Sequence, residues 1–255
     1  MGDDMTSERT DWDEILVAKD VRTRLEALQE TGELRTVFPS LQRLVGFGGE
    51  GTGHKDLWAH TTKVVEQTVP RPLLRWASLF HDVGKPVSYR CVDGHISFHH
   101  HEAESAKIFR AVAKKSRLFQ KAEIDEISFV IHNLGHVESY EPSWTDSAVR
   151  RAAGALGPHM DSVFAVARAD CTTARPEKRR KQLLRTKELR DRIESLRALD
   201  AIPPALPKGL GQALMASLGL SPGPELGNVV KELRGRVEAG ELPRNAEISV
   251  YLKAL

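Results

Sequence analysis

Apolar residues recur at three- and four-residue intervals through most of this chain, and strand-like alternation is confined to one short stretch. Helical periodicity therefore bounds the fold, and the chain reads as all-α. A first helix is expected from about Glu14 to Thr31, with Ile15, Leu16, Val21, Leu25 and Leu28 on one face and Gly32 as its stop. Further helices are expected over 57–69, 71–82, from near His101, and over 123–134, 146–156, 161–171 and 177–199. The exception is Asp93-Gly94, which lies between Tyr89-Arg90-Cys91-Val92 and His95-Ile96-Ser97-Phe98 and signals one short β-hairpin.

The pattern breaks at Ile202-Pro203-Pro204-Ala205-Leu206-Pro207-Lys208-Gly209, the best boundary in the chain. Three regions are expected: an N-terminal helical segment with a Gly-rich connector over 1–53, a central domain over 54–200 and a small helical tail over 201–255. Three short helices are expected in the tail, around 212–218, 225–239 and 246–255. The glycines from Gly46 to Gly53 fit neither a P-loop nor a dinucleotide fingerprint, and no strand precedes them, so they read as a flexible connector.

At 40% hydrophobic and 28% charged residues, the composition is that of a globular protein. It lacks the run of about 18 apolar residues that a membrane span needs. The acidic start, Met1-Gly2-Asp3-Asp4-Met5, has no secretory signal character, so a cytoplasmic location is expected. Cys91 and Cys171 form no Cys-x-x-Cys and are expected as free thiols. A net charge of +2 conceals ten basic residues in 175–197, against Glu177, Glu188, Asp191 and Glu194. Arg175, Lys178, Arg179, Arg180, Lys181, Arg185 and Lys187 could meet RNA phosphates. A solvated charged face is the blander account of the same residues.

Seven of the ten histidines lie between His54 and His101, at or near expected helix ends and loops. Clustered imidazole and carboxylate groups suit a divalent first-row metal. His81-Asp82 ends an apolar helix, where both side chains could reach one ion. Taken alone, the pair reads rather as a helix-ending histidine beside a capping or salt-bridged aspartate. Asp170 closes the apolar run Val163-Phe164-Ala165-Val166-Ala167-Arg168-Ala169, where a lone carboxylate would be costly without a cation. His132 follows Phe129-Val130-Ile131 and reads also as a core histidine, and His101 also as a helix cap.

With His60 upstream and His101, His132 and Asp170 downstream of His81-Asp82-Val83-Gly84-Lys85, the chain resembles the HD phosphohydrolase superfamily. The longer strings sharpen the likeness. His54-Lys55-Asp56-Leu57-Trp58-Ala59-His60-Thr61, Ala77-Ser78-Leu79-Phe80-His81-Asp82-Val83-Gly84-Lys85-Pro86 and Phe98-His99-His100-His101-Glu102 resemble the HD region of bacterial CCA-adding tRNA nucleotidyltransferases. The tail strings Gly211-Gln212-Ala213-Leu214-Met215, Leu218-Gly219-Leu220-Ser221-Pro222-Gly223-Pro224-Glu225-Leu226-Gly227 and Val237-Glu238-Ala239-Gly240-Glu241-Leu242 extend it, so that it runs from about Asp13 onward.

The resemblance implies an HD-type helical fold and a metal site. His60, His81, Asp82 and Asp170 match its basic ligand set, and His101 and His132 match the extra positions that hold a second ion. One or two divalent ions are implied, with Mn, Ni, Fe, Co, Mg and Zn not distinguished. The implied activity is hydrolysis of phosphomonoesters or 2′,3′-cyclic phosphodiesters of nucleotides or RNA ends by metal-activated water. Asp82 would then be catalytic and bridging. Lys85 would be catalytic and substrate-binding through a phosphate oxygen, or else a helix-terminal charge. His54 and His100 are weaker substrate-binding candidates. No segment before Asp13 is long enough for a nucleotidyltransferase domain, so CCA addition is not expected of this chain alone. The alternative is a non-hydrolytic RNA-binding or tRNA-maturation subunit, working with a separate nucleotidyltransferase.

Overall fold

The computed structural model describes residues 3–48, 56–93 and 95–255. His54 and the end of the Gly-rich connector lie outside the described residues. Helices dominate: α1 (Asp3–Val17), α2 (Val21–Glu30), α3 (Glu33–Val37), α4 (Pro39–Gln42), α5 (Leu57–Gln67), α6 (Pro72–Phe80) and α7 (Lys85–Ser88). After the strands β1 (Arg90–Val92) and β2 (His95–Ser97) come α8 (His101–Ser116), α9 (Lys121–Glu138), α10 (Asp146–Leu156), α11 (Met160–Ala169) and α12 (Pro176–Asp200). The chain ends with α13 (Leu210–Leu218), α14 (Pro224–Glu238) and α15 (Ile248–Leu252). The strands pair antiparallel with Val92 opposite His95, and Asp93 turns between them at φ +50°.

The expected single helix over 14–31 is instead α1 and α2, broken at 18–20. A buried arginine explains the break. The Arg75 guanidinium donates to the carbonyls of Leu16 and Ala18, the latter at 3.0 Å, and its Nε donates to Thr68 O at 3.0 Å. Carbonyls satisfied from outside need no continuing helix. The expected helix over 71–82 also stops early, at Phe80, so His81 and Asp82 lie in the turn that follows α6.

The chain divides into two compact units, 1–193 and 194–255. In the first, α9 packs against α6, α8, α10 and α11, while α5 packs on α2, α6 and α11. Aromatic rings link these layers: Phe38 meets Trp12, Trp76 and Phe80 edge-on, and Phe80 and Phe119 both meet Phe109 edge-on. The second unit has its own small core of Leu210, Leu214, Leu233, Val237 and Tyr251. No helix among the described residues is long and apolar enough to cross a membrane.

Candidate metal centre

Three helix ends and one helix interior meet at a point. His60 lies one turn into α5, whose N-terminus is capped by Asp56: Oδ1 accepts from Ala59 N at 2.8 Å and Oδ2 from Gly46 N at 2.6 Å. His81 and Asp82 follow α6, and Asp170 terminates α11. The α5–α11 contact is fastened by Gln67, whose amide donates to Ala169 O at 2.6 Å. His101 opens α8, which approaches the His81–Gly84 turn unusually closely. A side chain on Gly84 would place its Cβ 2.4 Å from His101 O, and Gly84 N donates to Ser105 Oγ at 2.8 Å. Glycine at 84 is what lets His101 reach the turn.

His60, His81 and Asp82 each offer a ligand atom within 4.8 Å of the others'. His60 Nε2 lies 2.9 Å from Asp170 Oδ1, 3.4 Å from Asp82 Oδ2 and 3.4 Å from His81 Nε2. His81 Nε2 is 3.4 Å from both Asp82 Oδ2 and Asp170 Oδ1. On the other side of the same carboxylate, His101 Nε2 stands 3.5 Å from Asp82 Oδ1. Asp82 thus turns one oxygen to His60 and His81 and the other to His101.

The outer ring nitrogens set the tautomers. His81 Nδ1 lies 2.7 Å from Ser78 O and His101 Nδ1 lies 2.9 Å from Phe98 O, and a carbonyl can only accept. Both rings therefore carry a proton on Nδ1, which leaves Nε2, the nitrogen turned toward Asp82, as the one that can bind a cation. His60 Nδ1 is held by Thr172 Oγ1 at 2.9 Å.

Without a cation this arrangement is poorly satisfied. Asp82 is 1% exposed, and its Oδ1, like Asp170 Oδ1, is buried with no hydrogen bond of acceptable geometry. Burial penalises the charged form of both carboxylates. The neighbouring Lys85 and histidine side chains outweigh this and hold both pKa values well below the usual range, the 2.9 Å contact from His60 leading for Asp170. Burial likewise disfavours protonated His60, but Asp170 and Asp82 raise it to about 9. An ion with ligand bonds of about 2.1 Å sets neighbouring ligands about 3.0–3.4 Å apart, close to the spacings seen here. The donors fit a divalent metal.

Lys85 lies beyond the turn that carries His81 and Asp82. It starts α7, and its Nζ bonds Asp82 Oδ2 at 2.6 Å. Burial opposes its charge, yet Asp82 raises its pKa and keeps it an ammonium. His100 is exposed, in the left-handed region at φ 61° as N-cap of α8. His132 is exposed on α9.

Sequence reasoning missed several groups beside the centre. Thr172 has only its spacing, two residues after Asp170, to flag it. Glu138 ends α9 with its surface exposed, yet surrounding protein and then the Asp170 and Asp82 carboxylates push its carboxyl well above the usual range. A cavity of 530 Å³ opens over the centre, reached by His60, Lys85 and Asp170 and walled by Phe47, Tyr89 and Phe98. Nothing in the linear pattern marked those aromatic rings as neighbours.

Residues 57–174 of this helical unit match the HD domain family. The curated relatives sharpen the likeness. The chain is 28% identical over 247 residues to the A-adding tRNA nucleotidyltransferase of Deinococcus radiodurans, covering 94% of this chain and 56% of that enzyme. It is 29% identical over 238 residues to the CC-adding tRNA nucleotidyltransferase of Thermus thermophilus, covering 89% and 51%. A shorter match, 33% over 96 residues, joins it to the multifunctional CCA protein of Azoarcus sp., covering 36% and 23%. The chain spans about half the length of the first two relatives.

Proposed function

We propose that the chain is a metal-dependent phosphohydrolase acting on phosphomonoesters or 2′,3′-cyclic phosphodiesters of nucleotides or RNA ends. The observation that carries this is the convergence of His60 Nε2, His81 Nε2, Asp82 Oδ2 and Asp170 Oδ1 beside a cavity of 530 Å³, with Asp82 Oδ1 buried and without a hydrogen bond.

His60, His81, Asp82 and Asp170 would hold one divalent ion, and His101, from the far side of Asp82, would serve a second with His132. A divalent ion bound there supplies Lewis acidity and a water acidified toward neutral pH. The chain's own residues do the rest. Ser78 O and Phe98 O hold the rings in the tautomer that offers Nε2, and Thr172 Oγ1 orients His60. Lys85, kept cationic by Asp82 and facing the cavity, would bind a non-bridging phosphate oxygen and offset charge that builds on it. The names of the relatives point to tRNA, and so to RNA 3′ ends as substrates.

The test is turnover of 2′,3′-cyclic nucleotides and a generic aryl phosphate with added manganese, nickel or magnesium. Metal-dependent hydrolysis that Asp82→Asn abolishes with helical content intact is the expected result. No turnover with any metal, in protein that still binds RNA tightly, would overturn the reading in favour of a non-hydrolytic RNA-binding subunit.

A further inference from the structure

The cavity over the metal centre is lined by residues of two chemical kinds. The rings of Phe47, Tyr89 and Phe98 form a cluster, with centroids 5.9 Å (Phe47–Tyr89), 5.9 Å (Tyr89–Phe98) and 6.5 Å (Phe47–Phe98) apart. The rest of the lining includes the polar residues Thr172, Thr173, Lys178 and Gln182. The aromatic cluster is not core. Tyr89 is 39% exposed and Phe47 and Phe98 are half-buried, whereas the rings that hold the fold together, Phe38, Trp76, Phe80 and Phe109, are fully buried. Phe47 is brought to this wall deliberately by backbone bonds from Leu57 N to Phe47 O at 3.0 Å and from Trp58 N to Leu44 O at 3.2 Å, which tie its segment to the start of α5.

We propose that this wall is a stacking site for the terminal base of an RNA 3′ end, deepening the phosphohydrolase reading on which it rests. Lys85 supplies the spacing. Its Nζ bonds Asp82 at 2.6 Å and stands 5.9 Å from the centre of the Phe98 ring, so one side chain reaches both the phosphate position and the aromatic wall. That span suits a nucleotide, whose phosphate and base are separated by a ribose. A half-exposed aromatic cluster beside a cationic groove is the usual physical solution for holding an unpaired base without reading its sequence. Thr173 and Gln182 supply the polar lining for base and ribose, Thr172 being committed to His60.

The cavity also continues in one direction. A neighbouring groove of 360 Å³ shares Lys178 and Gln182 with it and runs on past Lys181 and Arg185 along α12. Lys178 and Lys181 are exposed and have no ion-pair partner among the described residues, while Arg185 pairs with Glu141 at 2.8 Å in an exposed contact that competes weakly. The occupant is therefore a strand longer than one nucleotide, with its last base on the aromatic wall and its preceding phosphates on α12.

Binding in EDTA, where nothing is hydrolysed, separates this from the catalytic reading. A 5′-labelled RNA decamer ending in a 3′-phosphate is titrated by fluorescence anisotropy beside the same decamer with an abasic last residue, and competed with a nucleoside 3′-phosphate. Removing the base is expected to weaken binding about 5- to 100-fold. Tyr89→Ala and Phe98→Ala should weaken the intact decamer to the level of the abasic one while leaving the abasic one unchanged. Lys181→Ala with Arg185→Ala should weaken the decamer by a larger factor than the mononucleotide. Equal affinity for the two decamers overturns the stacking site, even in a protein that proves to hydrolyse phosphoesters. A decamer that binds no more tightly than the mononucleotide overturns the path along α12. Base discrimination in a protein without turnover keeps the stacking site and removes the hydrolase.

Discussion

His60 Nε2 and His81 Nε2 face each other at 3.4 Å, and the outer nitrogen of each ring is already engaged, by Thr172 Oγ1 at 2.9 Å and Ser78 O at 2.7 Å. With Nδ1 of His81 committed to a carbonyl, the two Nε2 atoms are the ring nitrogens left to share a cation. Thr172 is then a positioning residue. Thr172→Val should lower manganese affinity by about 10- to 100-fold with little change in fold, as removal of such outer partners does elsewhere. Asp82→Asn should lower it by more. Metal titration followed by isothermal calorimetry, with circular dichroism to check the fold, measures both.

The same contact makes the metal-free protein sensitive to pH. Folding raises the His60 pKa to about 9 from an unfolded value near 6.5, so the folded state binds this proton more tightly than the unfolded chain does. Its contribution to stability is complete below about pH 6.5 and is lost as pH rises through about 9. The melting temperature in EDTA should therefore fall between pH 7 and pH 9.5, and His60→Gln should flatten the slope. Metal competes with the same proton, so manganese affinity should rise about tenfold per pH unit over part of that range. An EDTA melting profile independent of pH would show that His60 holds no extra proton.

The helical class was legible because period-3.6 apolar stripes persist in α5, α6, α9 and α11, whose inner faces are all buried. The hairpin was legible because Asp-Gly has few other uses between two short extended runs. The centre was legible in part: His60, His81, Asp82 and Asp170 were singled out by residue type and resemblance, and these four converge. What failed did so for tertiary reasons. The break between α1 and α2 depends on Arg75, which is remote in sequence, and the end of α6 depends on a turn pressed against α8. The aromatic wall draws Phe47 from ahead of α5 and Tyr89 and Phe98 from either side of the hairpin, and no linear pattern joins them.

Gly84 is the tightest point of that turn. Its added Cβ would fall 2.4 Å from His101 O and 2.6 Å from Ser105 N, both backbone atoms of α8 that cannot step aside as a flexible side chain would. Gly84→Ala should cost about 1–3 kcal/mol in urea denaturation through overpacking. It should also reduce metal affinity by moving His101 away from Asp82. Ser105→Ala removes only the hydroxyl that accepts from Gly84 N, and should cost less with metal affinity nearly unchanged.

Arg75 is a buried cation of the same unit. It is 5% exposed, with its guanidinium serving the carbonyls of Leu16, Ala18 and Thr68, and burial lowers its pKa while leaving it cationic. Replacing it strands three carbonyls at the junction of α1, α2 and α6, each costing about 1–3 kcal/mol if water cannot reach it. Arg75→Met keeps much of the packing volume and removes every donor, so its effect isolates the hydrogen bonds. It should destabilise the protein by about 3–5 kcal/mol in urea denaturation. Hydrogen exchange should show the loss concentrated at the end of α1 and the start of α2. A variant as stable as the parent would mean that water replaces the guanidinium, and that Arg75 does not cause the helix break.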